Sequence, residues 1–454
     1  MKMKLNKTIS TVLLVSGLLF VSLNAWSADK VNSDQPAPRV PTQVFQQDAQ
    51  LMRLYQTALQ NNPSLAVFSA KEQAAFSQQK QAASYEKAQL QLQSELSYAW
   101  MKKKDFGRTA NQLKASYPLY QPDKTDLTQA ANFQFNAAQW SLEAQKQNLM
   151  LQVADLYYRY WSQQAQVEFL LKEKRSISSI LVQVRKRFQV GYQNLNDIAE
   201  IQARLDNNQA DLLEAKQVLA ITESNLVALV GESVNLDKML MPQGLPSDGL
   251  LKNRLRLPHE KISVQQSWFM QNPGLKALRQ QEQAANRQVD YEKNKNGVQL
   301  DAFGAYVYND SDGNFYDDMQ GVKGGLELKY PLYLGGRTDA AVAKSRANVS
   351  QVQAQQRQLM LKLQAIARNS LLSYQAGIER LVALQAALSS NQEAVKATEK
   401  GLQTGTRNIL DLLNAQRSLH KAQRDVPMTR AKIWQSWFEF YGALGLLQPS
   451  EVAS

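Results

Sequence analysis

Along most of this chain apolar residues recur every three or four positions, and the runs that carry the pattern are unusually long. Between residues 123 and about 187 there is no Pro or Gly, and Leu149, Val153, Leu156 and Tyr160 are spaced four, three and four. Leu170, Lys174, Ile177, Leu181, Val184 and Phe188 continue the alternation. That is the seam of a coiled coil, polar on its other faces. At 1.5 Å per residue such a helix would span on the order of 95 Å. After Gly191 a second helix is predicted, with Ile198, Ile201, Leu205, Leu212, Leu219 and Leu226 on its stripe. Another long helix is predicted over about 338–400 and a further one from Ile409 onward; shorter helices fall at about 45–87 and 264–294. Core packing explains the stripes but not their length, because periodic runs far beyond ~25 residues do not fit a compact domain.

Between the helices lie four segments of the opposite period. Leu90, Leu92, Leu96, Tyr98 and Trp100 alternate with Gln91, Gln93, Glu95 and Ser97, and Leu113, Ala115, Tyr117 and Leu119 alternate with Gln112, Lys114 and Ser116. Leu300, Ala302, Gly304, Tyr306 and Tyr308 begin by alternating with Gln299 and Asp301, and Val322, Leu326, Leu328 and Tyr330 with Lys323, Glu327 and Lys329. These predict strands at about 90–101, 111–120, 297–308 and 321–333. Segments of roughly 10 residues, apolar on one face and polar on the other, fit a barrel with lipid outside and water inside. Four strands cannot close, since the smallest transmembrane barrels have about 8 and an open edge in hydrocarbon leaves backbone groups unpaired. An oligomer in which each subunit contributes two hairpins is therefore required; dimers would give eight strands and trimers twelve.

The chain also repeats itself. Asn62-Pro63-Ser64-Leu65 returns as Asn272-Pro273-Gly274-Leu275, Tyr117-Pro118-Leu119-Tyr120 as Tyr330-Pro331-Leu332-Tyr333, and Gly231 as Gly445. An offset of about 210 residues holds through these landmarks, which indicates duplication of one large unit. The predicted organisation is a signal peptide at 1–28, an extended segment at 29–44, a first repeat at 45–240, a Pro- and Gly-containing linker at 241–262, a second repeat at 263–447 and a short tail at 448–454.

The signal-peptide reading rests on Lys2, Lys4 and Lys7 before an apolar run at 12–23, too short for a spanning helix of about 20 residues. The chain has no cysteine and only two histidines, His259 and His420, which excludes Cys/His metal sites and thiol catalysis. The formal charge of +12 comes from interleaved basic and acidic residues, so a solvated basic surface is favoured over nucleic-acid binding. An acidic hairpin tip, Asp310-Ser311-Asp312-Gly313-Asn314, superficially resembles a calcium loop. Phe315 stands where that loop needs Gly and Gly321 where it needs Glu, so a solvated loop is expected. No Ser/His/Asp set or phosphate loop is present, and no cofactor is expected.

With these residues in place the chain resembles the TolC family of outer-membrane channel-tunnels. The markers are the Asn-Pro-x-Leu motif opening each half, Tyr330-Pro331-Leu332-Tyr333-Leu334-Gly335-Gly336-Arg337, Arg187-Phe188 leading through Val190-Gly191 to Asp197, and the run Gly405-Thr406-Arg407-Asn408-Ile409-Leu410-Asp411-Leu412-Leu413-Asn414-Ala415-Gln416. The resemblance implies a mainly α fold of long coiled coils plus four strands per subunit. It further implies a homotrimer with a twelve-stranded barrel among outer-membrane lipids and a periplasmic tunnel whose far end closes like an iris. Its implied partners are a periplasmic adaptor and an inner-membrane pump or ABC exporter, and it is not an enzyme.

The same resemblance places the turns at 191–197 and 405–411 at the periplasmic tip. Asp411 would form an acidic ring at the constriction, and Arg407 would tie the coiled coils together by bonding Asp197, with Asn196 beside it. Two positions depart from the family pattern: Asn414 stands where a second aspartate is expected, and Leu402 where a gating tyrosine is expected. Asp411 and Asp197 also open helices, where a capping or dipole role is sufficient on its own. The function so expected is passive export, either of small molecules such as drugs or of proteins by type I secretion. A periplasmic adaptor or a structural coiled-coil protein is the remote alternative, disfavoured by the four strands.

Overall fold

The computed structural model describes residues 49–100, 106–192, 194–231, 244–246, 266–311 and 319–447. The signal-peptide reading, the extended segment, most of the linker, the tail and the acidic hairpin tip beyond Ser311 lie outside these residues. Helices α1 (Ala49–Asn61) and α2 (Pro63–Ser84) lead into strands β1 (Gln89–Ala99) and β2 (Phe106–Tyr120). Then follow α3 (Pro122–Gln189) and α4 (Leu195–Val230). The second half runs through a 3₁₀ turn (Gln266–Gln271), α5 (Pro273–Asn294), β3 (Gln299–Ser311), β4 (Met319–Lys329), α6 (Arg337–Gln403) and α7 (Ile409–Leu444).

The expected long helices are there: α3 has 68 residues and α6 has 67. The stretch read as one helix at 45–87 is instead two, broken at Asn62, and the one at 264–294 is likewise divided at Asn272. Each Asn caps the helix that begins at the following Pro, a residue suited to a first helical position because its missing N–H would have no partner there. The final strand ends at Lys329, so Tyr330-Pro331-Leu332-Tyr333 lies beyond it, whereas its counterpart at 117–120 is inside β2.

The breaks are splices between two helices. The Asn62 carboxamide oxygen accepts the Ser64 N–H at 2.9 Å, while its nitrogen donates to the Leu229 carbonyl at the end of α4 at 2.7 Å. The Asn272 side chain does the same, accepting from Gly274 N–H at 3.0 Å and donating to the Ala443 carbonyl of α7 at 3.1 Å. One side chain thus satisfies a free N–H of the upper helix and a free carbonyl of the lower one. The close approach needs glycine below. Gly231 and Gly445 end α4 and α7 with φ of 80° and 78°. A Cβ at Gly445 would fall 2.6 Å from the Asn272 backbone nitrogen, and one at Gly231 would fall 2.8 Å from the Asn61 Cβ.

Spliced in this way, the helices form a row of four columns. α3 packs against α2 and α4 on one side and against α5 and α7 on the other, and α6 packs against α5 and α7. The edge columns are therefore α2/α4 and α6. The main core lies where the splices meet, around Tyr157, Tyr158, Trp434, Trp437, Phe438 and Tyr441. Tyr158 and Trp434 stack with centroids 5.8 Å apart. Trp434 donates to the Gly244 carbonyl at 3.1 Å and Tyr374 to the Pro246 carbonyl at 3.1 Å, which fixes the 244–246 segment across one face of the row.

The strands form one antiparallel sheet in the order β1-β2-β3-β4. Register aligns Leu92, Leu113, Tyr306 and Val322 across it, all exposed apolar residues on one face. The other face carries Lys114 and Glu327, 3.5 Å apart. It is not wholly polar, because Phe303 lies under the Lys114 ammonium and Ala305 and Val307 are buried there. β1 and β4 each leave one edge unpaired within the chain.

Two outcomes are expected from this packing. Gly445→Ala should cost about 2–4 kcal/mol, from left-handed strain plus a backbone clash, whereas Gly191→Ala, equally left-handed but in open space, should cost only about 1 kcal/mol. Thermal unfolding in detergent compares the two directly. Partial desolvation by its neighbours, with Asp155 nearby, raises the Glu439 carboxyl above its usual 4.5. The side chain is exposed, so solvent screening keeps the cost of its charged form to folding at neutral pH small. Glu439→Gln should therefore raise the unfolding midpoint slightly at neutral pH, and the advantage should vanish as pH falls to the ordinary carboxylate range.

Candidate periplasmic gate

Both inter-helix turns are built alike. Gly191 and Gly405 adopt φ of 81° and 77° directly after α3 and α6. Three residues later Asn194 caps α4, accepting the Asp197 N–H at 2.8 Å, and Asn408 caps α7, accepting the Asp411 N–H at 2.7 Å. Asp411 returns the favour, its carboxylate accepting the Asn408 N–H at 3.1 Å in a reciprocal capping box. Asp411 therefore spends one oxygen on its own helix and keeps the other, in a half-exposed position beside the helix's positive end. The recurring Asn-x-x-Asp at 194–197 and 408–411 is the sequence signal for these caps.

Arg407 is exposed, and its side-chain stem lies against Gly401, where a Cβ would come 2.6 Å from the Arg407 Cγ. No ion pair joins Arg407 to Asp197 among the described residues of the single chain, so the expected tie is not made within it. Asn196 is exposed in the first turn of α4. Leu402 is directed into an apolar tip cluster containing Ile177, Leu181, Val184, Ile201, Ile409 and Leu413. Leu402 thus makes an apolar contact at the tip. Asn414 makes a bond of its own, accepting from Arg204 on α4 at 2.8 Å, and Arg204 also pairs with Glu200 at 2.8 Å. This is a direct link between the hairpins of the two repeats.

Above the tip cluster the seam turns polar. Sequence periodicity put Lys174 in the seam, but Lys174 is half-exposed and donates to Gln209 at 3.3 Å; the buried residue is Glu173. Its carboxylate receives the Asn208 amide of α4 at 3.0 Å and the Arg417 guanidinium of α7 at 2.9 Å. One helical turn on, the Ser176 hydroxyl meets His420 at 3.1 Å. This layer separates the tip cluster from a second apolar cluster around Val167, Leu170 and Leu212. A buried carboxylate held from two helices fixes their register, because loss of a partner leaves an uncompensated charge. A one-residue error in assigning the seam hid this layer from the sequence.

Among the described residues no group of His, Cys, Asp and Glu could hold a metal ion, and no helix is long and apolar enough to cross a membrane. Comparison with known proteins identifies the architecture. The family described as Outer membrane efflux protein matches twice, over residues 54–232 and 266–446, one match to each repeat. Outer membrane protein TolC of Vibrio cholerae is 26% identical over 415 residues, covering 88% of this chain and 92% of that protein. The proteases secretion protein PrtF of Dickeya chrysanthemi is 22% identical over 316 residues, covering 67% of this chain and 66% of that one. The crystal structure of the outer membrane protein VceC of Vibrio cholerae superposes with a TM-score of 0.75 at 20% identity, over 88% of this chain and 97% of the other. With helix row, sheet and duplication in agreement, the chain belongs to the outer membrane efflux protein family, as a TolC-type passive channel of the outer membrane with its tunnel in the periplasm, and not as an enzyme.

Proposed function

We propose that three copies of this chain close into one export duct, with the sheet forming a third of a membrane barrel and the helix row a third of a tunnel. The observation that carries this is the matching pair of open edges: β1 and β4 in the sheet, α2/α4 and α6 in the row. Joining β4 to the next copy's β1 places α6 beside the next copy's α4, so a single rotation satisfies both layers. Exposed Leu92, Leu96 and Val322 then face lipid. Closure around three copies gives twelve strands, as the TolC resemblance implies.

At the tip, Asp411 supplies one acidic ring, since Asn414 is uncharged and bonded to Arg204. Such a ring concentrates negative potential and favours cations. The exposed Arg407 guanidinium is placed to bond an adjacent copy, Asp197 being the acceptor proposed. Leu402 contributes an apolar latch in place of a polar one. Opening follows engagement of a periplasmic adaptor, with energy supplied by an inner-membrane pump or ABC exporter.

The cargo proposed is small molecules, drugs among them. Protein export by type I secretion is the second reading, favoured by the likeness to a relative named for protease secretion. Deleting the gene separates them. Retention of a fluorescent dye with an unchanged set of secreted proteins indicates small-molecule efflux, while loss of one large secreted protein with normal dye export indicates secretion.

The gate assignments have their own tests in planar bilayers. Asp411→Ala should lower cation selectivity and divalent block by roughly twofold or more; unchanged selectivity removes Asp411 from the constriction. Arg407→Ala should raise resting conductance, and a variant as closed as the parent shows that Arg407 is no latch. Leu402→Tyr, which supplies the family's tyrosine, should make openings rarer.

A further inference from the structure

On the face of the helix row opposite the 244–246 segment, an open pocket of about 680 Å³ gathers basic side chains from two helices. Arg380 of α6 and Lys421 and Lys432 of α7 line it, and all are exposed. None of them has an ion-pair partner among the described residues. The single acidic residue in the lining, Asp425, is already held by Arg424, 2.6 Å away. Arg424 is itself fixed by Gln166 at 3.1 Å and lies over the Phe169 ring. Ser162 and Ser373 add hydroxyls to the wall.

Lys421 and Lys432 stand eleven residues apart on one face of α7, and with Arg380 of α6 they present a band of positive charge along the pocket, a field that favours anionic solutes. Lys421 and Lys432 are on α7, which is flanked by α3 and α6 within its own chain; ring closure adds a neighbouring copy only on the far side of α6, the edge column that carries Arg380. The pocket does not open outward. Trp434 and Tyr374 touch 244–246 on one face at this same level, and Lys432 stands two residues from Trp434, roughly 200° round the helix. A segment lying across the bore would obstruct it, so 244–246 marks the outside and the pocket faces the bore.

We propose that Arg380, Lys421 and Lys432 form an anion-binding station on the tunnel wall, repeated in each copy, that takes solutes bearing two or more sulfonate, phosphate or carboxylate groups. This rests on the export-duct reading for its location but not for its chemistry. The station lies above the acidic ring of Asp411, so the bore changes sign along its length. Multivalent anions that pass the acidic gate would meet a favourable field on the wall above it, and the open side lets them depart.

The test is equilibrium binding of pyrene tetrasulfonate to the purified full-length protein in detergent, read by fluorescence anisotropy at two salt concentrations. The parent should bind saturably and more weakly at high salt. The combined Arg380→Gln, Lys421→Gln, Lys432→Gln variant should bind at least about tenfold more weakly and Lys421→Gln alone about threefold, with Lys396→Gln, whose ammonium already pairs with Glu393 elsewhere on α6, unchanged. No saturable binding by the parent, or equal binding by Lys421→Gln and the parent, overturns the proposal. Bilayer recordings separate the two readings. A protein that conducts but is not blocked by the sulfonate refutes the station alone, while one that binds the sulfonate without conducting refutes the duct and retains the site.

Discussion

Backbone amides and carbonyls in hydrocarbon have no partners but one another, and in this chain β1 and β4 each present a row of them with none. Each unpaired group costs several kcal/mol in lipid, far beyond what side-chain packing could offset. The sheet is therefore a fragment whose missing part must be supplied by other copies. The helix row obeys the same order, with its outer columns on the same two sides. Both layers can be completed by one rotation because both descend from the same duplicated unit, in which two strands and a column pair travel together.

Length is the second constraint. A tunnel wall of this height needs columns of more than sixty residues, and α3 and α6 supply two of them as unbroken helices. The other two are assembled from shorter helices joined end to end. There the Asn-Pro and Gly landmarks act together, the Asn bridging both helix ends and the left-handed Gly clearing space for it. The splice leaves chain free at mid-height, where 244–246 and α1 pack against the aromatic core. Lower down, packing alternates between apolar clusters and the polar layer at Glu173, so the tip is joined to the body by directional bonds as well as by oil.

Much of this could be read from residues alone, and the reasons differ from element to element. Leu92 and Leu113 alternate with Gln91 and Lys114 so regularly that the strands and their two faces were legible. Long helices were legible because 123–187 lacks Pro and Gly. The repeat landmarks were visible, but their purpose was not: Asn62 and Leu229 are 167 residues apart, and nothing local says that one caps the other. Glu173 was missed because a heptad seam tolerates a shift of one position, and Lys174 fitted the spacing as well. A capping role for Asp411 was legible from its place at a helix start, and Asn408 three residues before it is the partner that completes the box. The basic pocket could not, since Arg380 and Lys421 come together only when α6 and α7 pack.

The central claim is that the open edges of sheet and row meet across copies. This chain has no cysteine of its own, so cysteine pairs can be introduced one at a time, one residue on β1 and one on β4, and oxidised in outer-membrane preparations. Ring closure predicts covalent trimers on a non-reducing gel as the largest species for the pairs in register, with none for pairs placed on β2 and β4. Covalent dimers as the largest species, or monomers alone for every β1–β4 pair, would contradict it.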